Sequence, residues 1–70
     1  MNQDSRFILA QNIQKLRKKA NLTREDLSLC LGFENSYISK IEKQKINITL
    51  DSLEKIANYF KIDTYVLLKP

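Results

Sequence analysis

Asn35, Ser36 and Lys40 are the side chains whose types and spacing suggest chemistry. They project from one side of a predicted helix, one and two residues into it and then one turn on. Asparagine can pair bidentately with adenine, lysine can donate to the acceptors of guanine, and serine serves either base. An α-helix fits the major groove of duplex DNA and brings such groups to base edges. The same pattern also describes a helical hairpin whose polar face simply meets water. Two features favour the first reading. Lys15, Arg17, Lys18, Lys19 and Arg24 fall within ten residues that hold no acid, and Lys40, Lys43 and Lys45 follow with only Glu42 among them. Basic blocks on both sides of the polar face suit a polyanion. The start of the preceding helix, beside Arg24, also offers backbone N–H groups to a phosphate.

Those side chains must be held by helices. The 70 residues contain one glycine, Gly32, and one proline, Pro70, which favours an all-α chain. A first helix is predicted over about 5–20, with Leu9, Ile13, Leu16 and Ala20 at helical spacing and Asp4 or Ser5 as its cap. Thr23 begins a second helix, with Asp26 as a variant capping box and Leu22 and Leu27 as a hydrophobic staple. That helix buries Leu27 and Leu31 and stops at Gly32, where a left-handed turn is expected. A third helix starts just after Phe33 and carries Ile38 and Ile41 inward. The second helix, the turn and the third form a helix-turn-helix over about 24–43. A fourth helix starts at Thr49 with Leu50, Leu53, Ile56, Ala57 and Phe60, and a short fifth covers about 64–68.

Composition excludes other classes. One cysteine, Cys30, permits no intrachain disulfide, and the absence of histidine removes the usual zinc sets, so neither metal nor cofactor is expected. Cys30 is read as a small packed residue and Phe33 as core. Without histidine, a carboxylate pair or a phosphate-cradling loop, the chain is not expected to be an enzyme. The net charge of +4, the single cysteine and the lack of a long apolar run point to a soluble cytoplasmic protein with no membrane association. Residues 1–70 are expected to form one domain, near the lower size limit for a chain that folds unaided, so a partner chain is the remaining source of stability. The C-terminus indicates where. Ile62, Tyr65, Val66, Leu67 and Leu68 are almost continuous, and a short helix cannot bury every side within its own chain. The surplus, with Tyr59, is assigned to a homodimer interface. Two-fold symmetry would then place two recognition helices about 34 Å apart, one DNA turn.

The segment TREDLSLCLGFENSYISKIEKQKINITLDSLEKIANYF, with IQKLRKKANL before it, resembles the phage-repressor-like (XRE) helix-turn-helix family. Leu16-Arg17, Leu22-Thr23, Leu27, Leu31-Gly32, the run Tyr37 to Glu42, Leu50, Leu53, Ile56-Ala57 and Leu67-Leu68 carry the likeness, over about 9–68. Within that family, Tyr37-Ile38-Ser39, Ile41-Glu42, Asn47-Ile48-Thr49 and Ser52-Leu53-Glu54 are most similar to the controller proteins of restriction-modification systems. The resemblance implies a compact five-helix, lambda-repressor-like DNA-binding domain. It implies that Asn35, Ser36 and Lys40 read bases, and that Arg24, Tyr37, Ser39, Lys43 and Asn47 hold phosphates. It also implies that Arg17 and Glu42 bridge the first helix to the end of the third. The sequence departs from the family pattern at four places. Arg24 stands where glutamine is frequent. Glu34 stands where serine or threonine often caps the recognition helix, and its carboxylate repels DNA unless it accepts from a cytosine amino group. Gln44 stands where glycine often ends the third helix, and Ile46 where controllers often carry a basic residue.

The resemblance thus implies a homodimeric, sequence-specific transcriptional regulator of duplex DNA, acting on its own operon and a neighbouring endonuclease gene. Activation would add a contact with RNA polymerase, for which no residue stands out. The alternatives are a phage or plasmid repressor, and an antitoxin-like module that uses the fold to hold a protein.

Overall fold

The computed structural model describes residues 4–70. Most of its helices begin on caps their own sequence supplies. In α1 (Ser5–Lys19) the Asp4 carboxylate accepts from the Arg6 N–H at 2.8 Å. In α2 (Arg24–Cys30) the expected reciprocal box is formed. The Asp26 N–H donates to the Thr23 hydroxyl at 3.0 Å and the Thr23 N–H to the Asp26 carboxylate at 3.4 Å. In α4 (Leu50–Tyr59) the Thr49 hydroxyl accepts from the Ser52 N–H at 3.1 Å. These bonds satisfy backbone donors that have no partner inside the helix. The exception is α3 (Tyr37–Glu42), where Ser36 makes no capping bond.

The four α-helices end alike. Each is followed by a residue with positive φ: Asn21 (60°), Gly32 (77°), Gln44 (59°) and Lys61 (58°). At each, paired backbone bonds close the last turn; after α3 they run from the Gln44 N–H to the Ile41 carbonyl and from the Lys45 N–H to the Lys40 carbonyl, both 2.9 Å. This is the Schellman arrangement, which favours glycine. Gln44 therefore does not change how α3 ends. It takes the glycine conformation and bears the steric cost of a Cβ there.

The core is one cluster: Leu9 and Ile13 from α1, Leu27 and Leu31 at α2, Ile38 and Ile41 from α3, Leu53, Ile56 and Ala57 from α4, and Leu67. Three expectations fail at its margin. Ala20 is exposed; the buried side of α1 also takes in Ile8 and Ala10, and Arg17 occupies its C-terminal end. Leu50, the first residue of α4, is 75% exposed. Cys30 is exposed rather than packed, because the buried side of α2 runs through Leu27, Ser28 and Leu31 and leaves Leu29 and Cys30 outward. Phe33 does pack on the core, with the Tyr37 ring 4.3 Å away and the Lys55 ammonium 5.2 Å from its centroid.

The expected fifth helix is a 3₁₀ segment, Thr64–Leu68. It is held by i→i+3 bonds, from the Val66 N–H to the Asp63 carbonyl at 3.0 Å and from the Lys69 N–H to the Val66 carbonyl at 3.2 Å, a tighter geometry that suits such short pieces. It packs on α1 and α4. Leu67 is fully buried, and the Asn12 amide donates to the carbonyls of Leu67 at 2.8 Å and Lys69 at 2.9 Å. The described residues form four α-helices and this segment, with no strand. None of their helices is long and apolar enough to cross a membrane.

Candidate nucleic-acid interface

The helix expected to carry the base-reading side chains is short. Six residues make α3, about 9 Å of helix. Asn35 and Ser36 precede it, in a turn closed by the Tyr37 N–H donating to the Glu34 carbonyl at 3.1 Å. They were expected one and two residues inside the helix. The turn leads directly into the helix, since the Lys40 N–H already donates to the Ser36 carbonyl at 3.0 Å.

Two polar anchors fix α3 against its neighbours. The first is the hydroxyl of Ser28, which has no exposed surface. It donates to the Arg24 carbonyl at 2.9 Å and accepts from the Ile38 N–H at 3.0 Å. A single buried hydroxyl thus joins α2 to an otherwise orphan backbone donor of α3. Nothing in the serine's local sequence distinguishes it; its place between Leu27 and the outward Leu29 was the available sign.

The second anchor is the Arg17–Glu42 pair. The Arg17 Nε donates to Glu42 at 2.7 Å, its Nη2 to the other carboxylate oxygen at 3.3 Å, and its Nη1 to the Leu22 carbonyl at 2.9 Å. The Glu42 side chain is only 4% exposed. Geometry of this kind compensates the desolvation of both charges and fixes orientation more than it adds stability. Arg24 joins it from outside, its Nε donating to Glu42 at 2.9 Å. Arg24 is one of the residues that the resemblance assigns to phosphate. The structure ties it to the end of α3, with its side chain still 44% exposed.

The three base-reading candidates are brought to one surface and each meets a carboxylate. The Asn35 amide donates to Glu25 at 3.3 Å. The Ser36 hydroxyl, at 2.6 Å, and the Lys40 ammonium, at 3.0 Å, both donate to Oε1 of Glu34. The Ser36 hydroxyl, and then Lys40, hold the Glu34 carboxyl below the usual range, so it is ionised at neutral pH. Glu34, at a position where the family often caps the helix, uses its carboxylate to bind side chains. The expected phosphate site at the start of α2 is also altered. Asp26 and Glu25 sit in that first turn, and the Asp26 N–H belongs to Thr23.

The remaining phosphate candidates lie on α3 and in the loop that follows it. Tyr37 opens α3, half-buried against Phe33, and Ser39 is half-buried on the same helix. Lys43 at the end of α3 and Asn47 in the loop to α4 are exposed. Lys15, Lys18, Lys19, Lys43 and Lys45 are exposed and form no ion pair among the described residues. At the junction of α1 and α2 a shallow open groove lies between Lys18, Asn21 and Arg24.

The residues assigned to a dimer interface lie at the end of α4, in the turn after it and in the C-terminal segment. Tyr65 is 66% exposed, Val66 and Tyr59 are also exposed, and Ile62 is half-buried. The Tyr59 ring stands edge-on to Phe60 at 5.1 Å. Its hydroxyl lies beside Cys30, which pushes its ionisation upward.

This architecture has relatives. The chain is 34% identical over 68 residues to a hypothetical transcription factor of Neisseria meningitidis; the match takes in 97% of this chain and spans 64% of that protein. A crystal structure of a hypothetical transcription factor from Neisseria superposes with a TM-score of 0.91 at 33% identity, over 96% of this chain and 77% of that one. The restriction-modification controller protein C.AhdI of Aeromonas hydrophila superposes with a TM-score of 0.80 at 26% identity, over 89% of this chain and 94% of that one. The helix-turn-helix family model matches residues 13–67, from the middle of α1 through the buried Leu67. With α2, the Gly32 turn and α3 forming the motif at its centre, the chain belongs to the XRE-type helix-turn-helix family.

Proposed function

We propose that this protein is a sequence-specific transcriptional regulator that binds duplex DNA as a homodimer, with α3 in the major groove. The observation that carries this reading is the surface of Asn35, Ser36 and Lys40, held by buried anchors at Ser28 and Glu42 and bordered by unpaired lysines. A rigid element carrying hydrogen-bonding side chains specifies, and the surrounding cations supply affinity. Asn35, Ser36 and Lys40 read base edges. Tyr37, Ser39, Lys43 and Asn47 contact phosphates. Arg24 does so with the part of its guanidinium that Glu42 leaves free. Tyr59, Ile62, Tyr65 and Val66 form the dimer contact. The similarity to a restriction-modification controller supports a palindromic operator shared by its own gene and that of an endonuclease.

The test is a footprint and binding titration on the DNA upstream of its own gene, against scrambled DNA at equal salt. Two protected half-sites centred about 34 Å apart are expected. Weak, uniform and salt-sensitive protection on both DNAs would reject this reading in favour of a protein-holding module of the antitoxin type.

A further inference from the structure

Glu34 is the odd residue of the recognition surface. It carries negative charge where DNA is to be met, yet it is not consumed by the fold. Its side chain is 62% exposed, packs into no core, and caps no helix. Only Oε1 is engaged, by Ser36 and Lys40; Oε2 accepts no hydrogen bond among the described residues. Lys40 has three donor hydrogens and spends one on Glu34. The result is an acceptor and a donor side by side, 3.0 Å apart, each with capacity to spare.

Base pairs present such doublets in the major groove. A C·G pair offers the cytosine N4 amino donor next to the guanine O6 acceptor, with N7 beyond it. The N4 and O6 atoms are joined by the pair's own hydrogen bond, so they lie about 2.9 Å apart. Donor faces acceptor at both positions when the Glu34–Lys40 pair is laid along that edge. The carboxylate accepts from N4 and the ammonium donates to O6 or N7, without breaking the bond between them. A·T also sets an amino donor, N6, beside an acceptor, O4, but it flanks N6 with the N7 acceptor, which repels the carboxylate, and leaves the ammonium O4 and a methyl group in place of O6 and N7; T·A and G·C put O4 or O6 against the carboxylate, which also repels it.

Resting on the DNA-binding reading above, we propose that Glu34 and Lys40 act as one specificity-determining unit that selects a C·G base pair in each half-site, Glu34 on the cytosine amino group and Lys40 on the guanine. Glu34 is then a discriminator. Its charge opposes every site that lacks an amino group at that position, and its hydrogen bond offsets the opposition only where one is present.

The experiment is selection of bound sequences from a randomised duplex library by the full-length protein, in parallel for the wild type, Glu34→Ala, Glu34→Gln, Lys40→Ala and the double variant Glu34→Ala/Lys40→Ala. Glu34 is exposed, and unchanged circular dichroism confirms that each variant folds. The wild type is expected to enrich one C·G position per half-site by about 5- to 100-fold over other pairs. Glu34→Ala should lose that preference, keep the others, and bind random duplex about two- to fivefold more tightly. Glu34→Gln should move it toward adenine, which glutamine reads. The double variant should lose no more discrimination at that position than either single variant, because the two side chains act as a unit. A wild-type motif that Glu34→Ala leaves unchanged at every position would overturn the inference and leave the DNA-binding reading standing. So would a lost preference for a pair other than C·G, or fully additive losses in the double variant. No enrichment by the wild type would overturn both.

Discussion

Single side chains set both the stability and the grip of this domain. Gln44 adopts φ 59° at the end of α3, a conformation that glycine takes without strain. Gln44→Gly is expected to raise stability by about 1 kcal/mol, read as an upward shift of the denaturation midpoint; an unchanged or lower midpoint would mean the side chain contributes contacts that outweigh the strain. Gly32→Ala should move the other way. Its φ is 77° and an added Cβ would meet only the Lys55 ammonium at 3.6 Å, so the loss is backbone strain and not a clash. Lys43 is exposed and forms no ion pair among the described residues. Lys43→Ala should weaken binding to operator and random DNA alike and lower the salt dependence by about one unit. A slope equal to the wild type's would take Lys43 off the phosphate list.

At the scale of elements, what matters is how α3 is aimed. Its inward face, Ile38 and Ile41, is shared with many helices, but Ser28 and the Arg17–Glu42 pair give it one orientation. Glu42→Ala would leave the Arg17 guanidinium buried without its carboxylate and is expected to cost about 3 kcal/mol. In thermal unfolding that is a fall of roughly 10 °C or more. Arg24→Ala removes only the exposed arm of the same network and should cost less than about 1 kcal/mol. Equal losses from the two would show that burial is not what gives the network its strength. The elements themselves were legible in the sequence because their signals are local: the Thr23–Asp26 box, the Gly32 stop and the apolar spacing that buries Leu9, Ile13, Leu27, Leu31, Ile38, Ile41, Leu53 and Ile56. The family pattern supplied the Arg17–Glu42 bridge. The contacts that tertiary proximity creates were not legible. Ser28 reaches Ile38, Arg24 reaches Glu42 and Asn12 reaches Leu67 across 10, 18 and 55 residues of chain, and no period or motif marks them. The side of α2 that faces inward was misjudged at Cys30 for a related reason. Seven residues are two turns, too few for periodicity to choose between adjoining faces.

For the whole molecule, the governing dimension is its length. The longest extent is 35 Å, about one turn of DNA, while one chain carries one recognition helix. On the proposed reading a single copy engages one half-site, and a palindrome needs two. Tyr65, Val66 and Leu68, in the segment that buries Leu67, are exposed, as is Tyr59 at the end of α4. Tyr65→Asp should give a folded monomer in sedimentation and abolish cooperative filling of paired half-sites. A stable dimer carrying this change would place the contact elsewhere on the molecule.

On the proposed reading, the carboxylates of Glu25 and Glu34, held against Asn35, Ser36 and Lys40, bear on timing as well as on choice. A regulator spends most of its life on the wrong sequence, and a wholly cationic face would adhere to any stretch of chromosome. Negative charge at the reading surface shortens each of those stops while leaving the surrounding lysines to guide approach. The expected outcome is brief residence on bulk DNA, quick sampling of many stretches, and occupancy of the true site that rises steeply once a few dimers have accumulated.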